Sequence, residues 1–204
     1  MTRRVGVAFF AASSSAPGYA WDPANTNTDI ALSGGNLIAT KVSNDALKST
    51  RGVIGIAHDV AANYFEVEID EGGSSPFMLI GVGTSSVDLA SFVGNNASGW
   101  AYYQETGAKY TNNTPTAYGA TWTTGDVLGV AFKNGKVWFA KNNTWQASGD
   151  PAADTGEAYS GIAGTIYPFA SLYRQTAPSH VVSGRFKDAE FTYSPPSGFS
   201  AWSP

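Results

Sequence analysis

The sequence predicts an all-β fold, a two-layer sandwich read as one unit over Ala20 to Trp202. Three observations predict it. The 204 residues include 23 glycines, 13% aromatics and abundant Thr, Ser and Asn, which suits short strands and tight turns better than helices. Turn signals recur along the chain: SGG at Ser33 to Gly35, EGG at Glu71 to Gly73, GTSS from Gly83, GNN at Gly94 to Asn96, TTGD at Thr123 to Asp126 and KNG at Lys133 to Gly135. Between them lie runs of about 5 to 8 residues rich in Val, Ile, Phe, Tyr and Trp, which is strand length and strand composition.

Taken in order, the chain opens with Arg3 and Arg4, the apolar run Val5 to Ala12 and then SSSA, an order that imitates a short secretory signal. The run is at the lower limit for such a signal, so residues 1–19 are expected to form an N-terminal strand or anchoring arm, followed by one domain over 20–204. Strands are expected at Asn36 to Val42, Tyr64 to Ile69, Met78 to Gly83, Trp100 to Tyr103, Val127 to Phe132, Val137 to Ala140, Ile166 to Leu172 and Glu190 to Tyr193. In YFEVEI the alternation puts Phe65, Val67 and Ile69 toward a core and Glu66, Glu68 and Asp70 toward water. Only Val87 to Val93 invites a helical turn. Asn134-Gly135 tolerates the positive φ angles of a type I′ turn, so the flanking strands should pair as a hairpin with Lys133 opposite Lys136.

Composition excludes several chemistries. The chain has no cysteine, so disulfides, thiolate nucleophiles and Cys-ligated zinc are ruled out, and with 2 histidines a three-His metal site is too. The net charge of -4, with Lys and Arg scattered, argues against nucleic acid as a partner. No segment approaches the ~18 apolar residues of a membrane helix, so membrane insertion is not expected. No Gly-x-Ser-x-Gly occurs, no cofactor or metal is expected, and His58 and His180 are read as hydrogen-bonding residues.

Read together, YFEVEI, IGVGT, GWAYYQETGAKY, YGATWTTGDVLGVAF, GKVWFAKNN and YPFASL resemble the SPRY domain, the core of the B30.2 family. GDVLGVAF followed by VWFAKNN is the most specific part. The likeness extends through AWDPANTNTDIALSGGNLIATK and RGVIG upstream and FTYSPPSGFSAW downstream. Two places depart from the pattern: Lys133 stands where an Asp-containing turn is common, and GRFKDAEF only loosely matches the usual Asn-Phe-Gly. The resemblance implies a concanavalin-like pair of antiparallel sheets acting as a non-enzymatic binding module through loops. WDPANTN and SGGNL look most like bacteriophage and bacterial versions. They imply a virion surface protein: a tail receptor-binding component or, alternatively, a head decoration. Its partners would be virion subunits or a host glycan or protein, a homo-oligomer is compatible with the role, and the other localisations considered are the bacterial cytoplasm and secretion.

Recognition is expected in the loops around Ser85 to Ser98, Gln104 to Thr116, Asn142 to Tyr159 and Tyr173 to His180, since loops on a rigid sandwich carry function. Candidate contact residues are Tyr103, Tyr110, Trp145, Tyr173 and Arg174. The rings supply area at low entropy cost, and Arg174 supplies a forked donor. Competing roles are structural. Trp100 and Tyr102 should face one side and Tyr103 the other, and Trp145 follows a strand closely enough to fold back as a core cap. Asp22, Asn25, Asn27 and Asp29 offer oxygens that a calcium ion would use, yet such residues also make turns unaided. Asp126 is read as accepting backbone N–H bonds in its own turn. A hydrolase would need a carboxylate pair: Glu66 with Glu68, or Asp150 and Asp154 with Glu157.

Overall fold

The computed structural model describes Gly18 to Ser203 apart from residues 44, 61, 74 and 175, so the arm expected over residues 1–19 falls outside the described residues up to residue 17. Two sheets of eight strands carry the chain. The first runs β1 (Trp21–Thr26), β4 (Asp45–Gly52), β14 (Thr165–Arg174), β7 (Leu79–Gly83), β8 (Gly99–Tyr103), β9 (Lys109–Thr111) and β10 (Thr114–Thr116), with β5 (Ile56–Ala57) paired to β14. The second runs β13 (Thr144–Trp145), β12 (Lys136–Lys141), β11 (Val127–Lys133), β6 (Asn63–Gly72), β15 (His180–Arg185), β3 (Ile38–Lys41) and β2 (Ile30–Ser33). There β16 (Ser200–Ala201) adds to β6 in parallel, while the other named pairings are antiparallel. The all-β sandwich is therefore observed. No helix among the described residues is long and apolar enough to cross a membrane.

Alternation along the strands builds the core. From the first sheet Ile80, Val82, Tyr102, Ile166, Ala170 and Leu172 point inward; Phe65, Val67, Ile69, Leu128, Val130, Phe132 and Phe139 meet them from the second. Trp21, Trp122 and Trp202 close this cluster, each almost fully buried. Burial of such side chains stabilises the fold by roughly 1.5–3 kcal/mol each before the entropy cost of ordering them. The β11–β12 hairpin has the expected turn, with Asn134 at φ 50° and Gly135 at φ 68°, and Lys133 pairs with Lys136.

Both outer faces are covered in part, and this corrects three expectations. First, Glu66 does not face water. It is fully buried, because the segment after β15 crosses the outer face of the second sheet and packs Phe191 and Phe199 against Tyr64 and Trp138. Glu68 is half-buried beside Arg185, and only Asp70 of the three is exposed. Second, Glu190 to Tyr193 is not a strand: the N–H groups of Thr192 and Tyr193 donate to the Glu66 carboxylate at 2.6 and 2.9 Å instead of to a neighbouring strand. Third, Val87 to Val93 forms successive turns and no helix. Its carbonyls are drawn to β4, where Ser49 donates from its backbone to Leu89 (3.0 Å) and from its hydroxyl to Ser91 (2.7 Å).

Candidate functional site

The loop over residues 84–98 lies on the outer face of the first sheet and leaves one concave region beside it. Alternation in β8 sends Trp100 and Tyr102 into the core and Ala101 and Tyr103 outward, as the sequence predicts. The β8–β9 hairpin pairs Ala101 with Tyr110 and ties the Tyr103 N–H to Ala108 O at 2.8 Å, so both tyrosines reach the outer face. Their ring centroids are 5.4 Å apart at 76°, and Phe92 from the covering loop meets Tyr110 at 6.0 Å and 84°. Leu47 of β4, Leu79 of β7 and Asn113 complete a cleft of about 190 Å³.

The cleft is held from beneath and from the side. Ser171 lies in register with Leu79, and Leu79 with Tyr103, making one row across the sheet. The Ser171 hydroxyl accepts the Val93 N–H at 2.9 Å and sits 2.8 Å from the Ser49 hydroxyl, which locks the Phe92 loop onto two strands. Asn113, at φ 55°, donates its backbone N–H to Gly94 O at 2.8 Å. Gly94 itself has φ 95°, and a Cβ there would meet Tyr110 O at 2.9 Å, so only glycine lets the loop approach this closely. The Tyr103 phenol donates to Glu105 at 2.8 Å. Burial first, and then the Glu105 carboxylate, pushes this phenol above its ordinary pKa, so it remains a neutral donor at the cleft rim.

Tyr173 stands two residues beyond Ser171 on the same outer face and packs edge-on against Phe77, centroids 5.1 Å apart. Its N–H donates to His180 Nδ1 at 2.9 Å, while His180 Nε2 lies 2.7 Å from Ser75 O and donates to it. Arg174 donates to Val42 O at 2.9 Å. Tyr103 and Tyr110 therefore share the cleft, and Tyr173 and Arg174 follow at the end of the adjoining strand. Trp145 is not with them. It is half-buried on the second sheet, edge-on to Tyr64 at 6.3 Å, where it helps to close the cluster under the C-terminal segment.

Leu47, Leu79, Phe92 and Asn113 were not singled out from the sequence. Leu47 sits in the polar stretch DALKSTRG, where the only signal is a weak alternation of Leu47, Ser49 and Arg51. Phe92 belongs to the stretch that suggests a helical turn.

The carboxylates weighed for hydrolysis have structural partners. Glu66 accepts from the Tyr64 hydroxyl at 2.9 Å and from two backbone N–H groups, with Arg185 at 3.7 Å, and Glu68 also pairs with Arg185. Asp154 and Glu157 flank Lys136 at 3.5 and 3.8 Å, and Asp150 accepts from the Ala153 N–H. Asp22 caps its own turn through the Ala24 N–H and Asn25 and faces Arg51 at 3.4 Å. Among the described residues no three His, Cys, Asp or Glu gather as metal ligands. Asp126 accepts the Thr123 N–H at 2.8 Å within its own turn, as expected, and Lys141 and Asn142 join it.

A family model described as SPRY domain matches residues 62–184, more than half of the chain. Ran-binding protein 9 of Xenopus tropicalis is 30% identical over 185 residues, covering 87% of this chain and 31% of the relative. The protein of the same name from Homo sapiens is 27% identical over 180 residues, 85% of this chain and 23% of the relative. The chain thus spans no more than about a third of these curated relatives. Among solved structures, the SPRY domain of human HERC1 superposes with a TM-score of 0.65 at 15% identity, covering 85% of this chain and 99% of that one. A further crystal structure of a human SPRY domain gives a TM-score of 0.60 at 16% identity, over 77% and 94% of the two chains.

Proposed function

The chain belongs to the SPRY domain family, and on that footing we propose that it is a non-catalytic module that binds a protein partner in the Tyr103–Tyr110 cleft. The observation that carries this reading is the convergence of three rings, Phe92, Tyr103 and Tyr110, with Leu47 and Leu79 in one open concavity on a rigid sheet. Rings held by two strands and a pinned loop lose little freedom when a partner side chain enters, and polar groups at the rim, Asn113 and the Glu105-bound phenol, give direction. Tyr173 and Arg174 extend the contact surface along β14, whereas Trp145 serves the fold.

The curated relatives carry the name Ran-binding protein, which makes Ran one candidate partner for this chain. Their animal origin lends no support to a bacteriophage virion role. The tail-component and head-decoration readings find no support in these relatives. The test is affinity capture with the full chain from animal-cell lysate, with purified Ran as a separate arm, comparing the native chain with Tyr110→Ala, Phe92→Ala and the remote Val60→Ala. A partner held by the cleft should bind the first two variants about 30-fold more weakly, the effect of losing ~2 kcal/mol at a hot spot, and bind Val60→Ala normally. Full binding by both cleft variants, with the chain still folded, would place the interface elsewhere.

A further inference from the structure

Each sheet has two outer strands, and three of the four are built against pairing with another chain. β1 carries Pro23 and a register shift between Trp21 and Thr26; β10 carries Pro115 at its centre; β13 has only two residues. The fourth, β2, reads Ile-Ala-Leu-Ser, with neither proline nor charge. The Val42 N–H donates to Asp29 O at 2.9 Å, and the same register pairs Ala31 with Thr40. Backbone groups alternate along an antiparallel strand, so those of Ala31 point to β3 and those of Ile30 and Leu32 point away. The Ile30 N–H is engaged by Asn27 O at 2.9 Å. What β2 turns outward for pairing is the Leu32 N–H and the carbonyls of Ile30 and Leu32.

We propose that β2 is a self-association edge, at which a second copy of this chain pairs antiparallel so that each Leu32 N–H donates to the Ile30 carbonyl of the other copy. One donor and one acceptor two residues apart on the same edge are self-complementary under a two-fold axis, the symmetry of most homodimers. Charge also fits. The nearest ionic side chains are paired within the chain, Asp29 with Lys41 at 3.6 Å and Asp22 with Arg51 at 3.4 Å, so two copies meet without opposing charges. Beside the edge runs a groove of about 350 Å³ bounded by Pro23, Ile30 and Leu32, which takes the Leu32 side chain of the second copy next to Ile30. In this register Ala31, exposed on the outer face, stands directly opposite Ala31 of the second copy in a non-hydrogen-bonded pair.

The chain has no cysteine, which makes the test direct. Ala31→Cys places two thiols across the axis at a separation a disulfide spans. Under mild oxidation it should form a covalent dimer at least about tenfold faster than Val60→Cys, a remote thiol at a 70% exposed position, because pairing raises the local thiol concentration. Ala31→Lys sets like charges face to face without touching the core, so it should sediment as a monomer at concentrations where the native chain shifts toward dimer, with an unchanged melting temperature. Equal cross-linking of the two cysteine variants, or native-like sedimentation of Ala31→Lys, overturns the proposal. Occupation of the edge by another segment of the same chain would also show as slow Ala31→Cys cross-linking, and would overturn it equally.

Discussion

Replacing Glu66 by Gln keeps the shape of a fully buried side chain and removes its charge. The two carboxylate oxygens have divided duties. One accepts the Thr192 N–H at 2.6 Å and faces Arg185, and the other accepts the Tyr193 N–H and the Tyr64 hydroxyl, both at 2.9 Å. An amide supplies one acceptor oxygen, so its NH2 must confront a donor that the carboxylate had satisfied. The loss is one charge-assisted hydrogen bond, about 1.5–3 kcal/mol, plus a buried donor left unpaired, about 1–3 kcal/mol. A combined cost of roughly 3–5 kcal/mol should lower the melting temperature by about 10 °C in a domain of this size. Hydrogen exchange should show the Thr192 and Tyr193 amides opening first, because the segment carrying Phe191 loses its anchor while the sandwich core is untouched. A melting temperature within about 2 °C of the native value, with both amides still protected, would refute the claim that this carboxylate holds the segment in place.

Other perturbations probe different parts of the molecule. Burial lowers the pKa of His180 despite opposing contributions from Ser75, Gly72 and Glu71. The unfolded chain then binds this proton more readily than the folded one, so stability should be level above about pH 7 and fall as pH drops through 6.5, a slope that His180→Gln should flatten in pH-dependent melts. Gly135→Ala forces a side chain onto φ 68° and brings a Cβ to 2.5 Å from Ile162 O, so urea unfolding should show a loss of about 2 kcal/mol or more. Asp126→Ala removes the acceptor for the Thr123 N–H and the partner of Lys141 and Asn142, which should cost about 1–2 kcal/mol in the same assay without changing partner binding.

Much of the architecture was legible in the residues, because period-two alternation and turn chemistry are local. Phe65, Val67 and Ile69 announce a strand with one buried face, and Asn134-Gly135 announces its hairpin from two residues. The inward course of Tyr102 and the outward course of Tyr103 follow from parity alone, which is why Tyr103 could be named in advance as a contact residue. Strand β4 gave little warning, since Asp45, Ala46 and Lys48 are of types depleted in strands and the segment is held there by β1 and β14 on either side.

What the sequence by itself determined was the class of fold, the positions of its main hairpins and the set of rings available for contact, all properties of neighbours within a few residues. The tertiary structure decided which rings meet. It put Phe92 and Leu47 beside Tyr103 and Tyr110, sent Trp145 to the opposite layer, and turned Glu66 from a solvent-facing charge into a buried anchor. The placing of Phe92 and of Glu66 depends on segments that pack against strands distant in sequence, the turns over residues 84–98 on β4 and β14 and the crossing after β15 on β6 and β12, whereas Trp145 stays beside its own hairpin partner β12. No local pattern encodes such distant packing, because its stability comes from surfaces that exist only once both sheets have formed.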